Sequence, residues 1–385
     1  MIRPPALTRR FRLVMTAVLM FGGSSSRAED HLIAIDGPWP ATETLAPGDR
    51  LLLAPGVHPA RTVRDLPGTP DRPIVITSAD PTIPAAFAGK DSPAFRAEDC
   101  AGLSLSGVLI IGGGISVDAS NLEAPSRLSI TGVRVLPFSR TPGTRGPEVA
   151  IRVAGVTNCT LHTVGVNRWV DAAVEASGVE TLELTNVGLT ADTGSRFGVR
   201  ASDCRTVEIS GGGIVGAGRA AIAATGGDDA GRVTVSNMAL IQPEVAVRVG
   251  DGIRVALDRC TIVDPRRAVV EFVPATRTDE EAARPAASHA RLDRCLINWQ
   301  VGRLERIFRM PDPPDAVGTV SLGRNLWWSE ELPAVLQALG GFPDGSPEQV
   351  LDLNPRLIPR SWLPADETAQ AFGHGARPSE TPRPE

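Results

Sequence analysis

The feature that most restricts what this chain can fold into is a recurring pair of apolar residues separated by one position. The pair appears as Leu103/Leu105, Leu128/Ile130, Leu161/Thr163, Leu182/Leu184, Val207/Ile209, Val233/Val235, Val255/Leu257, Ala290/Leu292 and Val320/Leu322, with successive starts 21 to 35 residues apart. Period-two alternation indicates a strand, and a spacing in the twenties indicates a solenoid. Two residues beyond the pairs stand Gly107, Gly132, Gly165, Asn186, Gly211, Asn237, Arg259, Arg294 and Arg324, a column that suits a turn with positive φ. A second strand starts just after it, as in Val108–Ile110. A third strand precedes the pair, as in Ala150–Val153, Ala173–Ala176, Gly198–Ala201 and Ala246–Val249. Three short strands per unit describe an all-β right-handed parallel β-helix of about nine coils over 100–328, each resting on the last at about 4.8 Å. Leucine-rich repeats are excluded, because the LxxLxL signature and its helix are absent. The two long spacings mark insertions at Phe138–Pro147 and Ala275–Ser288.

Composition narrows the chemistry. The 385 residues hold no tyrosine and a single lysine, Lys90, which removes tyrosyl acids and all but removes Schiff-base catalysis. Residues 1–28 read as a signal peptide. Arg3, Arg9, Arg10 and Arg12 precede an apolar run, Leu13–Phe21, and Ser26-Arg27-Ala28 supplies small residues for cleavage. Nine apolar residues are too few to span a bilayer, where about 20 are needed, and no second run of spanning length follows. The expectation is a secreted, periplasmic or cell-surface protein. Without residues 1–28 the chain keeps 34 basic against 44 acidic residues, a balance that argues against a nucleic-acid partner. The organisation expected is 29–99 as an N-terminal capping segment with first strands, 100–328 as coils, 329–376 as a segment covering the stack's open end, and 377–385 as a disordered tail. Within the covering segment, Pro333–Leu339 suits one short helix.

Upstream of the coils, Leu45-Ala-Pro-Gly-Asp-Arg-Leu-Leu-Leu-Ala-Pro-Gly-Val57 leads into Gly68-Thr-Pro-Asp-Arg-Pro-Ile-Val-Ile76. This pattern resembles the opening segment of the secreted pectin-lyase-like superfamily, particularly relatives of chondroitinase B and alginate lyases. Asn325-Leu-Trp-Trp328, Asp352–Pro355 and Ala371–Ala376 resemble the closing segment of secreted β-helix proteins. The resemblance implies a parallel β-helix whose exposed faces and loops hold a polysaccharide; it does not by itself imply catalysis. Two departures bear on activity. Chondroitinase B-like lyases use a lysine base and an arginine within the coils, whereas Lys90 precedes the coils read above. Polygalacturonase-like hydrolases carry NTD, DD, GHG and RIK motifs; here Asp228-Asp229 and Gly373-His374-Gly375 occur without the other two.

The chemistry-bearing residues fall in two columns. The outward positions of the third strands read Arg152, Glu175, Arg200, Ala223, Arg248 and Glu271, and a neighbouring column reads Ser104, Ser129, His162, Glu183, Glu208 and Thr234. Arginines with an imidazole suit binding of a uronate carboxylate and abstraction of its α-proton. Alternating Arg and Glu equally suits a solvated ladder that avoids like-charge contact. His162 is the one histidine on a repeated strand face and is the catalytic candidate. At the Asn167–Asp171 corner, Arg168 and Trp169 join Arg152, Glu175 and Arg200 as candidate substrate contacts; Trp169 either stacks on a sugar or packs beneath the Phe138–Pro147 insertion. No metal-ligand spacing and no cofactor motif occurs, and Asp228-Asp229 offers at most a Ca²⁺ turn. Of five cysteines, Cys260 and Cys295 take equivalent inward positions in adjacent coils, predicting stacked thiols. Two functions follow: a non-catalytic glycan-binding or cell-surface β-helix, or a lyase or hydrolase acting on an acidic, uronate-containing polysaccharide.

Overall fold

A strand that is apolar at every second position buries one face only when a strand of the same pattern stacks against it. The chain supplies such a strand every coil. The computed structural model describes residues 28–90, 93–139, 141, 144–226, 231–250, 252–273, 288–300, 304–309 and 318–329, with the backbone of 349–350. The protein is a right-handed parallel β-helix. A 22-stranded sheet carries two of the strand columns and a 10-stranded sheet carries the third. The expected leader, the Asp228-Asp229 turn, nearly all of the 275–288 insertion, the 333–339 helix, the 377–385 tail and all but a few residues of the 329–376 segment lie outside the described residues. Gln349–Val350 pairs in parallel with Leu326–Trp327.

Inward side chains stack in unbroken rows. One runs in register from Leu51 through Ile76, Leu105, Ile130, Leu161, Leu184, Ile209, Val235, Leu257 and Leu292 to Leu322. Its neighbour includes Leu182, Val207 and Val233, which pair directly and are all but fully buried. Each such aliphatic side chain contributes about 1.5–3 kcal/mol through burial, realised only when the next coil is in place. Most strands have three to six residues; Thr181–Thr190 and Thr206–Val215, at ten, run through the corner and join two columns into one sheet. Among the described residues the only helix is the 3₁₀ turn Thr42–Thr44.

The stack starts earlier than the legible repeat. Asp30–Ile33, Arg50–Leu53 and Ile74–Ser78 form three further rungs beneath Gly102–Ser106. Lys90 therefore lies inside the coils, between the strands Ala86–Ala88 and Phe95–Glu98. At this end Asp49 is buried, accepting hydrogen bonds from the backbone N–H of Glu29 (2.9 Å) and Ala46 (2.8 Å), and lies 3.2 Å from His31 Nε2. Burial pushes its pKa up, but these bonds outweigh burial and hold the carboxyl below its ordinary value.

One coil is shifted by two residues from the sequence reading. Its apolar pair is Cys159/Leu161, because Cys159 pairs with Leu128 and Leu182. The left-handed turn residue is then Thr163, at φ 54°, in series with Gly107, Gly132, Asn186, Gly211, Asn237, Arg259 and Arg294; Gly165 has no such conformation. Arg324 is not left-handed either. Beside it the buried Asn325 accepts the Cys295 N–H (2.9 Å) and donates to the Leu292 carbonyl (3.1 Å).

All five cysteines are buried free thiols. Cys260 Sγ lies 3.6 Å from the Val235 carbonyl oxygen and Cys295 Sγ lies 3.7 Å from that of Leu257, its equivalent one coil on. Burial first, and the neighbouring Cys260 second, push the Cys295 thiol well above its ordinary pKa.

Candidate functional site

The outward column of the ten-stranded sheet is in register as the spacing predicts, from Arg152 through Glu175, Arg200, Ala223 and Arg248 to Glu271, and it continues to Arg309. Its carboxylates are saturated by its arginines. Arg152 Nε reaches Glu175 Oε2 at 2.7 Å, and Arg200 binds both Glu175 and Asp171, the latter at 2.6 Å. Arg196 NH1 also reaches Asp171, at 3.0 Å. Glu271 gathers Arg248 (3.2 Å), Arg267 (3.1 Å) and Arg309 (3.4 Å). Burial alone would raise the Glu175 pKa, but hydrogen bonds and charge from Arg200 and Arg152 hold it below its ordinary value. Arg200 responds reciprocally: its two carboxylate partners outweigh burial and raise its pKa. Beside the ladder runs an outward apolar strip, Ala172, Phe197, Ala220, Val245 and Ala268, and the guanidinium carbons of Arg196, Arg200 and Arg219 lie 5.3–5.5 Å from the Phe197 ring centre. Over most of its length this column is a cross-linked structural ladder.

The Phe138–Pro147 insertion is clamped onto the corner beside it. A side chain at Gly146 would meet the Arg168 carbonyl oxygen at 2.0 Å, so the two backbones touch and only glycine fits. Arg168, itself left-handed at φ 62°, donates from NH1 to the Thr141 carbonyl (3.0 Å) and lies 3.5 Å from Asp192. Trp169 is 2% exposed and belongs to the core. Its burial withdraws the indole from any role as a sugar platform. The exposed aromatic here is Phe138, 61% accessible, which separates two surface clefts.

The cleft on the ladder side has a volume of about 630 Å³. Its floor is Gly112–Gly114, and its walls present Lys90, Arg96, Arg145 and Arg152 with, among the described residues, one carboxylate, Glu148. A Cβ at Gly114 would lie 2.4 Å from the Val149 carbonyl oxygen, so only glycine lets the two coils approach here. Lys90 and Arg145 are exposed and pair with no carboxylate among the described residues, and Arg96 has only a 3.5 Å contact with Glu98. The second cleft, of about 650 Å³, is lined by Leu136, Phe138, Asn167, Arg168, Thr190 and Asp192.

Arg152, Glu175 and Arg200 thus share a face, with Arg152 opening onto the cationic cleft. Arg168 holds the insertion. His162 is elsewhere. Its strand, Asn158–His162, belongs to the 22-stranded sheet, where His162 pairs with Thr131 and Thr185 in a row of hydroxyl side chains. Thr160 takes the place between Ser129 and Glu183 that the sequence reading gave to His162. Sequence reasoning missed Lys90, Arg96, Arg145 and Phe138, which come from three separate coils. Only the position of Phe138 in an insertion signalled exposure. Among the described residues no three His, Cys, Asp or Glu side chains converge as a metal site, and no helix is long and apolar enough to cross a membrane.

No family model and no curated protein matches the chain. Solved structures do. A PL6 family alginate lyase, AlyGC, is similar at 12% identity and a TM-score of 0.46, over 91% of this chain and 57% of that one. A mannuronic acid-specific family 6 polysaccharide lyase from human gut microbiota is similar at 14% identity and 0.42, over 90% of this chain and 98% of its own. The catalytic domain of a GH87 α-1,3-glucanase is similar at 12% identity and 0.32, over 71% and 63%. The chain thus spans a little over half the length of the first of these.

Proposed function

We propose that this is an exported glycan-binding protein that holds an acidic polysaccharide in the cleft between the Phe138–Pro147 insertion and the start of the arginine ladder. The observation that carries the reading is charge placement. In a chain of net charge −5, four cationic side chains line one open cleft against a single carboxylate among the described residues. Guanidinium forks suit carboxylates, which they bind through paired N–H donors. Binding without cleavage is favoured because the ladder arginines are engaged by carboxylates, no histidine lines the cleft among the described residues, and the chain has no tyrosine.

A second reading rests on Lys90. The chain's only lysine lines the same cleft as Arg96 and Arg152, so a lysine base and an arginine stand together as β-elimination of a uronate requires. Incubation with alginate and polygalacturonate, followed at 235 nm for unsaturated ends, separates the readings. The binding reading expects retention of the polymer and no absorbance rise. A rise that disappears in Lys90→Met while binding persists establishes the lyase instead. His162→Ala should leave both measurements unchanged.

A further inference from the structure

At the N-terminal end of the stack an arginine and an indole stand together, away from the cleft at the insertion. Trp39 crosses this end half-buried, against Phe87 at 6.4 Å between ring centres. The Arg61 guanidinium lies over the indole at 4.6 Å. On either side of this stacked pair is a cavity, one of about 200 Å³ and one of about 430 Å³, and Arg61 and Trp39 line both.

Arg61 is electrostatically incomplete. Its backbone is fixed in a strand, with its N–H donating to the Ala94 carbonyl at 2.9 Å, but its side chain meets no carboxylate among the described residues. Its Nε is buried without an acceptor. Burial lowers its pKa, with no compensating charge beside it. A buried guanidinium N–H without an acceptor is costly, and the indole face offsets only part of that. Every comparable arginine of the ladder has a carboxylate. The other polar groups are committed or peripheral: His58 Nε2 donates to the Ala54 carbonyl at 2.8 Å, and Asp36 is exposed at the rim.

We infer that the Trp39–Arg61 pair is a binding site for the carboxylate of a monosaccharide-sized acidic ligand, distinct from the cleft at the insertion. The guanidinium supplies a fork for the anion, the smaller cavity admits a single ring, and the indole holds Arg61 in place. Arg61 already lies over the indole, so recognition is through the charge and not through ring stacking. An exposed Asp36 at the rim disfavours more highly charged anions.

Calorimetric titration of the full chain with glucuronate, glucose and inorganic phosphate tests this, alongside Trp39 fluorescence with Trp39→Phe identifying the signal. Saturable glucuronate binding with a Trp39 response is expected, with neither glucose nor phosphate matching it. Arg61→Gln should weaken it about tenfold or more, and Arg61→Lys by less. Thermal melts confirm that both variants fold. Arg145→Ala/Arg152→Ala should leave this response in place while weakening polymer binding at the cleft, so failure of either site is read separately. Glucose binding equally well, phosphate binding as tightly as glucuronate, or a response that survives Arg61→Gln would each overturn the assignment.

Discussion

Replacing Glu175 with glutamine should move stability and polyanion binding in opposite directions. Glu175 joins Arg152 and Arg200, its side chain 18% exposed. An exposed ion pair contributes about 0–1 kcal/mol, and breaking a fully buried one costs about 3–5 kcal/mol. Glu175 lies between these limits, and Arg200 keeps Asp171 as a partner, so a loss of about 1–3 kcal/mol follows. For a chain of this size that lowers the melting temperature by roughly 2–4 °C per kcal/mol. Arg152 is left unpaired at the edge of the cationic cleft. Removing one negative charge about 8 Å from a bound anion is worth about 0.5 kcal/mol in water, or a factor of about two in affinity. The stability difference should also depend on pH. Because the folded pKa of Glu175 is depressed, its contribution is present above the unfolded carboxylate value and is lost as pH falls through the folded one. Differential scanning fluorimetry from pH 7 down to 3, with oligouronide titration at pH 7, reads all three effects. A variant as stable as wild type at pH 7, or one that binds the oligouronide more weakly, refutes the view of Glu175 as a structural cross-link.

Three further substitutions or treatments follow from the geometry. Thr163→Gly should stabilise the protein by about 1 kcal/mol in denaturant melts, since a β-branched residue is strained at φ 54°; a destabilised variant contradicts the shifted register. Trp169→Ala should cost about 3–5 kcal/mol and loosen this corner, read in hydrogen exchange as lost protection of the Val170, Asp171 and Ala172 amides, which donate to the Pro147 and Glu148 carbonyls. A stable variant with weakened sugar binding alone would return Trp169 to the site. Iodoacetamide should label none of the five thiols in the native protein at pH 8 and all five after unfolding, because they are buried and burial raises the pKa of Cys100, Cys159, Cys204 and Cys295; a 260–295 crosslink in non-reduced mass analysis contradicts stacked free thiols.

The architecture is legible in the sequence wherever apolar alternation and a glycine or asparagine turn coincide. From Leu182 to Asn237 both are present, and the Arg152–Glu271 ladder falls in register on spacing alone. The reading slips where a coil marks its turn with Thr163 and fills an inward position with Cys159, because neither residue carries the usual signature. It starts late for a similar reason: the pair Ile74/Ile76 is followed by Ser78 where a turn glycine or asparagine is expected, and one rung earlier the buried Asp49 precedes Leu51 where an aliphatic residue is expected. The site was less legible than the fold. Lys90, Arg96, Arg145 and Arg152 are scattered along the sequence and converge only because three coils and an insertion meet at one corner. Trp169 illustrates the converse: a corner aromatic that the sequence leaves open as a sugar platform belongs to the core.

Titration of an oligouronide into the protein at low and moderate salt, repeated with Arg145→Ala/Arg152→Ala, tests the cleft most directly. The account predicts saturable binding that weakens as salt screens the cationic walls, falls several-fold in the double variant, and is not matched by a neutral oligosaccharide. Absence of binding at low salt, or equal affinity in the double variant, would contradict it.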